Sequence, residues 1–113
     1  MRRSHYLKHR ELARFLVHQR VKYFSQVYQV TPGRISIRNQ KTRWGSCSKR
    51  GNLNFNYKIV LLPTHLADYI IVHELCHLKE FNHSANFWNL VALTFSNYLE
   101  IRKELRETKI VYK

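Results

Sequence analysis

From His5 to about Gln29, the apolar residues Leu12, Phe15, Leu16, Phe24, Val27 and Tyr28 recur largely at three- and four-residue spacings with basic residues between them. That period predicts an amphipathic helix. Thr31-Pro32-Gly33 breaks it, and Arg34-Ile35-Ser36-Ile37-Arg38 then alternates polar with apolar positions as a half-buried strand does. A second extended segment is expected from Lys41 to Cys47. Ser48-Lys49-Arg50-Gly51-Asn52 has turn composition, and Leu53-Asn54-Phe55-Asn56-Tyr57 alternates again, so residues 34 to 57 predict a small antiparallel sheet. Pro63 marks the next junction. Leu66, Ile70, Ile71, Val72 and Leu75 follow it and predict an apolar, largely buried helix running to about Lys79 or Phe81. Asn82, which tolerates the left-handed conformation, is expected to end it. Ser84 is the expected N-cap of a last helix carrying Phe87, Trp88, Val91, Phe95 and Leu99. The segment from Thr108 is too short to assign. With no internal repeat or linker, the order helix, small sheet, helix, helix describes one α+β unit.

A chain of 113 residues with 44% hydrophobic content is long enough for one core and too short for two ordinary domains. Three glycines and two prolines exclude collagen-like and low-complexity chains, and no apolar run approaches the ~20 residues that span a bilayer. No hydrophobic segment with a small-residue cleavage site follows the basic start, so a cytoplasmic location is expected. Cys47 and Cys76 lack the spacing of a disulfide scaffold and are expected as free thiols. The net charge of +13 is uneven: residues 1–50 carry 13 Lys and Arg against one acid, and residues 51–113 carry 7 against 6. Such a block either steers an anionic partner, such as a nucleotide, nucleic acid or acidic peptide, or forms a solvated helix face.

His73-Glu74-Leu75-Cys76-His77 sets two imidazoles four residues apart, on one helix face one turn apart, where both can reach one metal ion. Glu74 is turned about 100° around the helix. It is placed to hold a water on that metal rather than to ligate the metal itself. Two buried histidines and a buried carboxylate need partners, and ligation supplies them. Catalytic zinc takes three protein ligands, and His83, just past the predicted helix end, is the leading third candidate; Glu100 and Glu104 on the last helix compete with it. Glu80 lies near the azimuth of His73 and His77 and is expected at the surface or beside a ligand. His65 is two turns upstream, on the order of 12 Å away, and is expected at the surface. The highly basic setting of His5 and His9 disfavours a second cation site. Cys76 and Cys47 are expected to pack, although a metal near Cys47 would lower its thiol pKa.

Arg38-Asn39-Gln40-Lys41-Thr42-Arg43-Trp44-Gly45-Ser46-Cys47-Ser48, His73 to Leu78, and Asn82-His83-Ser84 with Phe87-Trp88 occur in an order that resembles the YgjP-like metallopeptidases. These are zincin-type hydrolases related to the WLM and SprT-like families. The resemblance covers Arg34 to Trp88 most strongly. It implies a compact zincin-like fold with one zinc ion on His73, His77 and His83, Glu74 as general base and acid, and a peptide or protein substrate. Family members commonly carry an additional N-terminal β-rich region. Residues 1–113 are therefore expected to be a single minimal domain or the C-terminal part of a larger architecture. Met1 is the only methionine and Glu80 stands where metzincins use glycine, which argues against a metzincin.

Substrate contacts are expected from Arg38, Lys41 and Arg43, as partners for a carboxylate or phosphate, and from Trp44, with Trp88 a further aromatic near the site; solvated strand charges and core aromatics are the competing readings. In many zincins an edge strand holds an extended peptide by main-chain pairing, a role open here to Lys41–Cys47 or Leu53–Tyr57. Two other functions stay open. One is a zinc-dependent phosphoanhydride hydrolase acting on nucleotides, and the other is a non-catalytic, zinc-stabilised module that binds nucleic acid through the basic N-terminal half.

Overall fold

The computed structural model describes residues 2–108, and the segment after Thr108 lies outside them. Helix α1 spans Arg2–Tyr28. Its buried stripe is Ala13, Val17, Val21, Phe24 and Tyr28, a run of three- and four-residue steps. Leu12, Phe15 and Val27, expected inward, face outward at 53%, 71% and 53% exposure. Two apolar stripes offset by one position run along this helix. The inward one carries the small Ala13, Val17 and Val21, followed by Phe24 and Tyr28, where α1 lies against α2 (Thr64–Cys76) and the 3-10 turn Tyr57–Leu61 that precedes it. Arg20 on α1 forks onto Asp68 on α2, with Nε donating to Oδ1 at 2.9 Å and Nη2 to Oδ2 at 3.0 Å. Helix α1 stops at Gln29, whose φ of 54° is left-handed, and the Val30 amide donates to the Ser25 carbonyl at 3.0 Å in a Schellman-type closure.

The sheet has three strands, β1 (Ile35–Arg38), β2 (Gly45–Cys47) and β3 (Leu53–Asn56), in the order β1-β3-β2. It is mixed, which corrects the antiparallel expectation: β2 and β3 form an antiparallel hairpin, while β1 runs parallel to β3 with Ile35 opposite Leu53. The physical reason lies in residues 39–44. That connection carries the chain across β3 to its far side, and Asn56 fastens it by donating from Nδ2 to the carbonyls of Gln40 (2.8 Å) and Arg43 (3.0 Å). Strand β2 is shorter than the extended segment expected from Lys41. The hairpin turns at Ser48–Gly51, where Gly51 takes a φ of 85° that other residues rarely adopt.

Helix α2 is buried nearly all round, as its apolar run predicts. It ends at Cys76, earlier than expected, because the next amides tighten onto carbonyls three residues back: His77 to Glu74, Leu78 to Leu75 and Lys79 to Cys76. Asn82 is not left-handed; Gln29 is the only non-glycine with positive φ among the described residues. Ser84 does cap α3 (Ala85–Thr94), its hydroxyl accepting from the Phe87 amide at 3.3 Å. The expected last helix is two, because the chain breaks at 95–97 before α4 (Tyr98–Glu107). Ser96 and Asn97 are turn formers, and the break lets α4 fold back beside α2. No described helix is long and apolar enough to cross a membrane.

Candidate metal centre

His73 in the last turn of α2, His77 at its cap and His83 just before α3 bring their ring nitrogens within 4.8 Å of one another. His73 Nε2 and His83 Nε2 are 3.3 Å apart. Two imidazoles on a tetrahedral ion, each at 2.0–2.1 Å, hold their nitrogens about 3.4 Å apart, so the His73–His83 pair stands at the spacing of one zinc-sized ion, and the wider spacing within the set, up to 4.8 Å, closes onto that ion by a small ring movement. His77 Nδ1 donates to the Glu80 carbonyl at 3.2 Å, which leaves the lone pair on Nε2, toward the cluster. The Tyr69 hydroxyl lies 3.4 Å from His73 Nδ1, one turn back on α2. Phe87 is fully buried beneath all three rings, stacked on His77 at 4.4 Å and edge-on to His73 and His83 at 5.0 Å each. His83 is exposed and stacks on Trp88 at 5.7 Å.

Burial, reinforced by His77, His83 and Arg102, pushes the His73 imidazole down to about 3, and burial also lowers His77. Neutral imidazole is the ligating form. Glu74 is buried at 7% exposure, and that burial pushes its carboxyl up to about 8 against the opposing charge of Arg43. A carboxyl poised near neutrality can both take and return a proton. Glu74 and His73 face a cleft of about 450 Å³ whose walls come from Trp44 just before β2, Gly45 of β2, α2 (Tyr69) and α4 (Arg102, Arg106). Gly45 lets β2 come this close: a Cβ there would lie 3.2 Å from Glu74 Cγ, 3.2 Å from Phe55 Cδ1 and 3.1 Å from the Asn54 carbonyl.

Residues 3–108 match the sequence profile of the YgjP-like metallopeptidase domain. The chain belongs to the YgjP-like metallopeptidase family. Among solved structures it is similar to the metallopeptidase zymogen of Pyrococcus abyssi abylysin, with a TM-score of 0.71 and 25% identity over 79% of this chain and 90% of that one. The zymogen of Methanocaldococcus jannaschii jannalysin gives a TM-score of 0.70 and 28% identity over 80% of this chain and 94% of that one. A search of the curated proteins finds no match. The YgjP-like chain is thus a metallopeptidase-type hydrolase on a zincin-like α+β fold, with peptides or proteins as its substrate class.

In this YgjP-like domain the structure brings together His73, His77, His83 and Glu74, and adds Arg43 and Trp44 at the cleft. Arg38 and Lys41 do not line it; Arg38 Nε donates to Asn54 Oδ1 at 3.2 Å and Lys41 is exposed. Glu104 pairs with His65 at 3.0 Å and Glu100 is exposed, so neither competes with His83 for the cluster. Glu80 meets the site through its carbonyl alone. His9 Nδ1 contacts the His5 carbonyl at 2.8 Å. Cys76 is buried and free, and Cys47 is free and half-buried, its thiol pushed up to about 11 by burial and by Glu74. Sequence reasoning missed Tyr69 and Arg102. Tyr69 had a signal, the i−4 position to His73, whereas Arg102 reaches the cleft only because the chain breaks after α3, its guanidinium 4.7 Å over Trp88.

Proposed function

We propose that the chain is a zinc-dependent peptidase in which His73, His77 and His83 hold one zinc ion, Glu74 carries the proton, and residues 1–113 act as one unit. The observation that supports it most is the convergence of three imidazoles within 4.8 Å beside a buried carboxyl that opens onto a cleft. When bound, zinc supplies Lewis-acid polarisation of the scissile carbonyl and makes water acidic enough to attack near neutral pH. Glu74 Oε takes the proton from the attacking water and returns it to the leaving amine nitrogen. Tyr69 and the Glu80 carbonyl orient His73 and His77 from behind, and Phe87 fixes the ring planes.

The extended substrate pairs with β2. Strand β3 has a neighbour on both sides, which removes Leu53–Tyr57 from the two options, while β2 is the edge strand next to α2. Arg43 and Trp44, just before that strand, contact the substrate. The test is to incubate zinc-loaded protein and its Glu74→Gln variant with proteome-derived peptides and with nucleotides, and to read products by mass spectrometry. Peptide cuts that fall by about 100-fold or more in Glu74→Gln are expected. Glu74-dependent nucleotide breakdown without peptide cleavage would reassign the enzyme to phosphoanhydride hydrolysis, and no Glu74-dependent product would remove the peptidase reading.

A further inference from the structure

A second cavity, of about 690 Å³, opens at the other end of β2, between the hairpin turn, the end of α1 and the segment that begins with His77, which itself lines it. Its cations are Lys49, Arg50 and Lys79. The catalytic cleft at the start of β2 carries Arg43, Arg102 and Arg106. Apart from Glu74, no acid lines either cavity. None of the six cations makes an ion pair among the described residues, whereas Glu11, Asp68 and Glu104 are engaged elsewhere, by Arg10 and Arg14, by Arg20 and by His65. The two basic cavities lie at the two ends of β2, the edge strand that packs beside α2. Arg43 lies two residues before β2 and Lys49 two residues after it, in the hairpin turn, and Glu74 sits beside Gly45 between them.

We infer that the protein selects acidic peptides: an extended segment laid along β2 places one carboxylate-bearing side chain at Arg43, Arg102 and Arg106 and another, past the far end of the strand, at Lys49, Arg50 and Lys79. This rests on the peptidase reading and names its substrate class. Peptides are favoured over nucleic acid because the charge sits at the two ends of a strand edge rather than in a continuous stripe, and the edge offers main-chain groups that only a peptide can match. Cations paired with no carboxylate of the chain keep their charge available, and the field they set up is strongest at low salt.

The experiment compares three dansyl-labelled decapeptides of one sequence, carrying Glu, Gln or Lys at both outer positions, for binding to the zinc-loaded Glu74→Gln protein and for cleavage by the unmodified one. The Glu peptide is expected to bind about tenfold tighter than the Gln peptide at about 0.02 M ionic strength and to converge with it near 0.5 M. Lys49→Gln with Arg50→Gln, on an exposed turn, is expected to erase most of that preference by raising KM while leaving kcat on the Gln peptide unchanged. Equal binding and equal Glu74-dependent cleavage of all three peptides would overturn the inference and leave the peptidase standing. Absence of cleavage from every peptide would count against the peptidase reading alone, since binding to the Glu74→Gln protein still decides the charge preference. A single-stranded oligonucleotide that binds tighter than the Glu peptide and loses affinity in the same double variant would also overturn it, assigning the cations to nucleic acid.

Discussion

Replacing Gly45 by alanine sets a methyl group against Glu74 Cγ and Phe55 Cδ1 at 3.2 Å, with the Asn54 carbonyl at 3.1 Å behind it. Backbone and a buried ring cannot give way, so Glu74 moves. We expect Gly45→Ala to lose about 100-fold in kcat/KM for a cost of about 1–2 kcal/mol in stability, checked by kinetics beside urea unfolding. Phe87 is the other single side chain on which the centre depends, since it touches all three imidazoles. Phe87→Leu keeps most of the core volume and is expected to weaken zinc affinity by about tenfold or more, read by competition with a chelating dye. The core of this site was legible because His73, Glu74 and His77 obtain their geometry from one helix, where spacing alone sets direction. Gly45 was legible as part of a motif, but its purpose, room for a carboxylate on another element, needed the packing of β2 on α2.

Among the elements, α1 was visible and its inward face only in part: Phe24 and Tyr28 are buried as expected, and Leu12, Phe15 and Val27 are not. Periodicity gives two stripes on this helix, and bulk points to Leu12, Phe15 and Val27, whereas packing chooses Ala13, Val17 and Val21 because small side chains let two helices approach. The sheet was visible as three strands and misread in direction, since a hairpin is the usual reading of neighbouring alternating runs and the Asn56 clasp on residues 39–44 is a tertiary contact. The left-handed Gln29 at the end of α1 predicts that Gln29→Gly stabilises the fold by about 0.5–1 kcal/mol, measured by urea midpoint. Tyr28 ties α1 to α3 by its hydroxyl, 2.7 Å from the Leu90 carbonyl and 2.6 Å from Thr94 Oγ1. Burial raises its pKa to about 12 from 10, so the neutral form is favoured by folding. Ionising the buried phenol therefore costs up to about 2.7 kcal/mol of stability, none of it felt below pH 10 and the loss growing as pH climbs to 12. The stability gap between the unmodified protein and Tyr28→Phe should therefore narrow above pH 10, as followed by urea unfolding from pH 8 to 11.

For the whole molecule, the elements converge on one centre: α2 brings two imidazoles and the carboxyl, the α2–α3 turn brings the third imidazole, β2 brings the strand edge and α4 closes the cleft with Arg102. Zinc that binds only the folded chain stabilises it by mass action, so free zinc at about 100 times its Kd should add about 2.7 kcal/mol, and a chelator should remove it. The net charge of +13 was plain from composition. That its cations include six at the two ends of one strand edge was not, because Arg43, Lys49, Lys79 and Arg102 lie on different elements. The most direct measurement is an anomalous difference map at the zinc edge from crystals of the zinc-loaded protein. One peak is expected, about 2.0–2.1 Å from a ring nitrogen of each of His73, His77 and His83, with Glu74 beside it and not bound to it. A peak held by Cys47 or by His5 and His9, or a Glu74 oxygen occupying the ion directly, would contradict it.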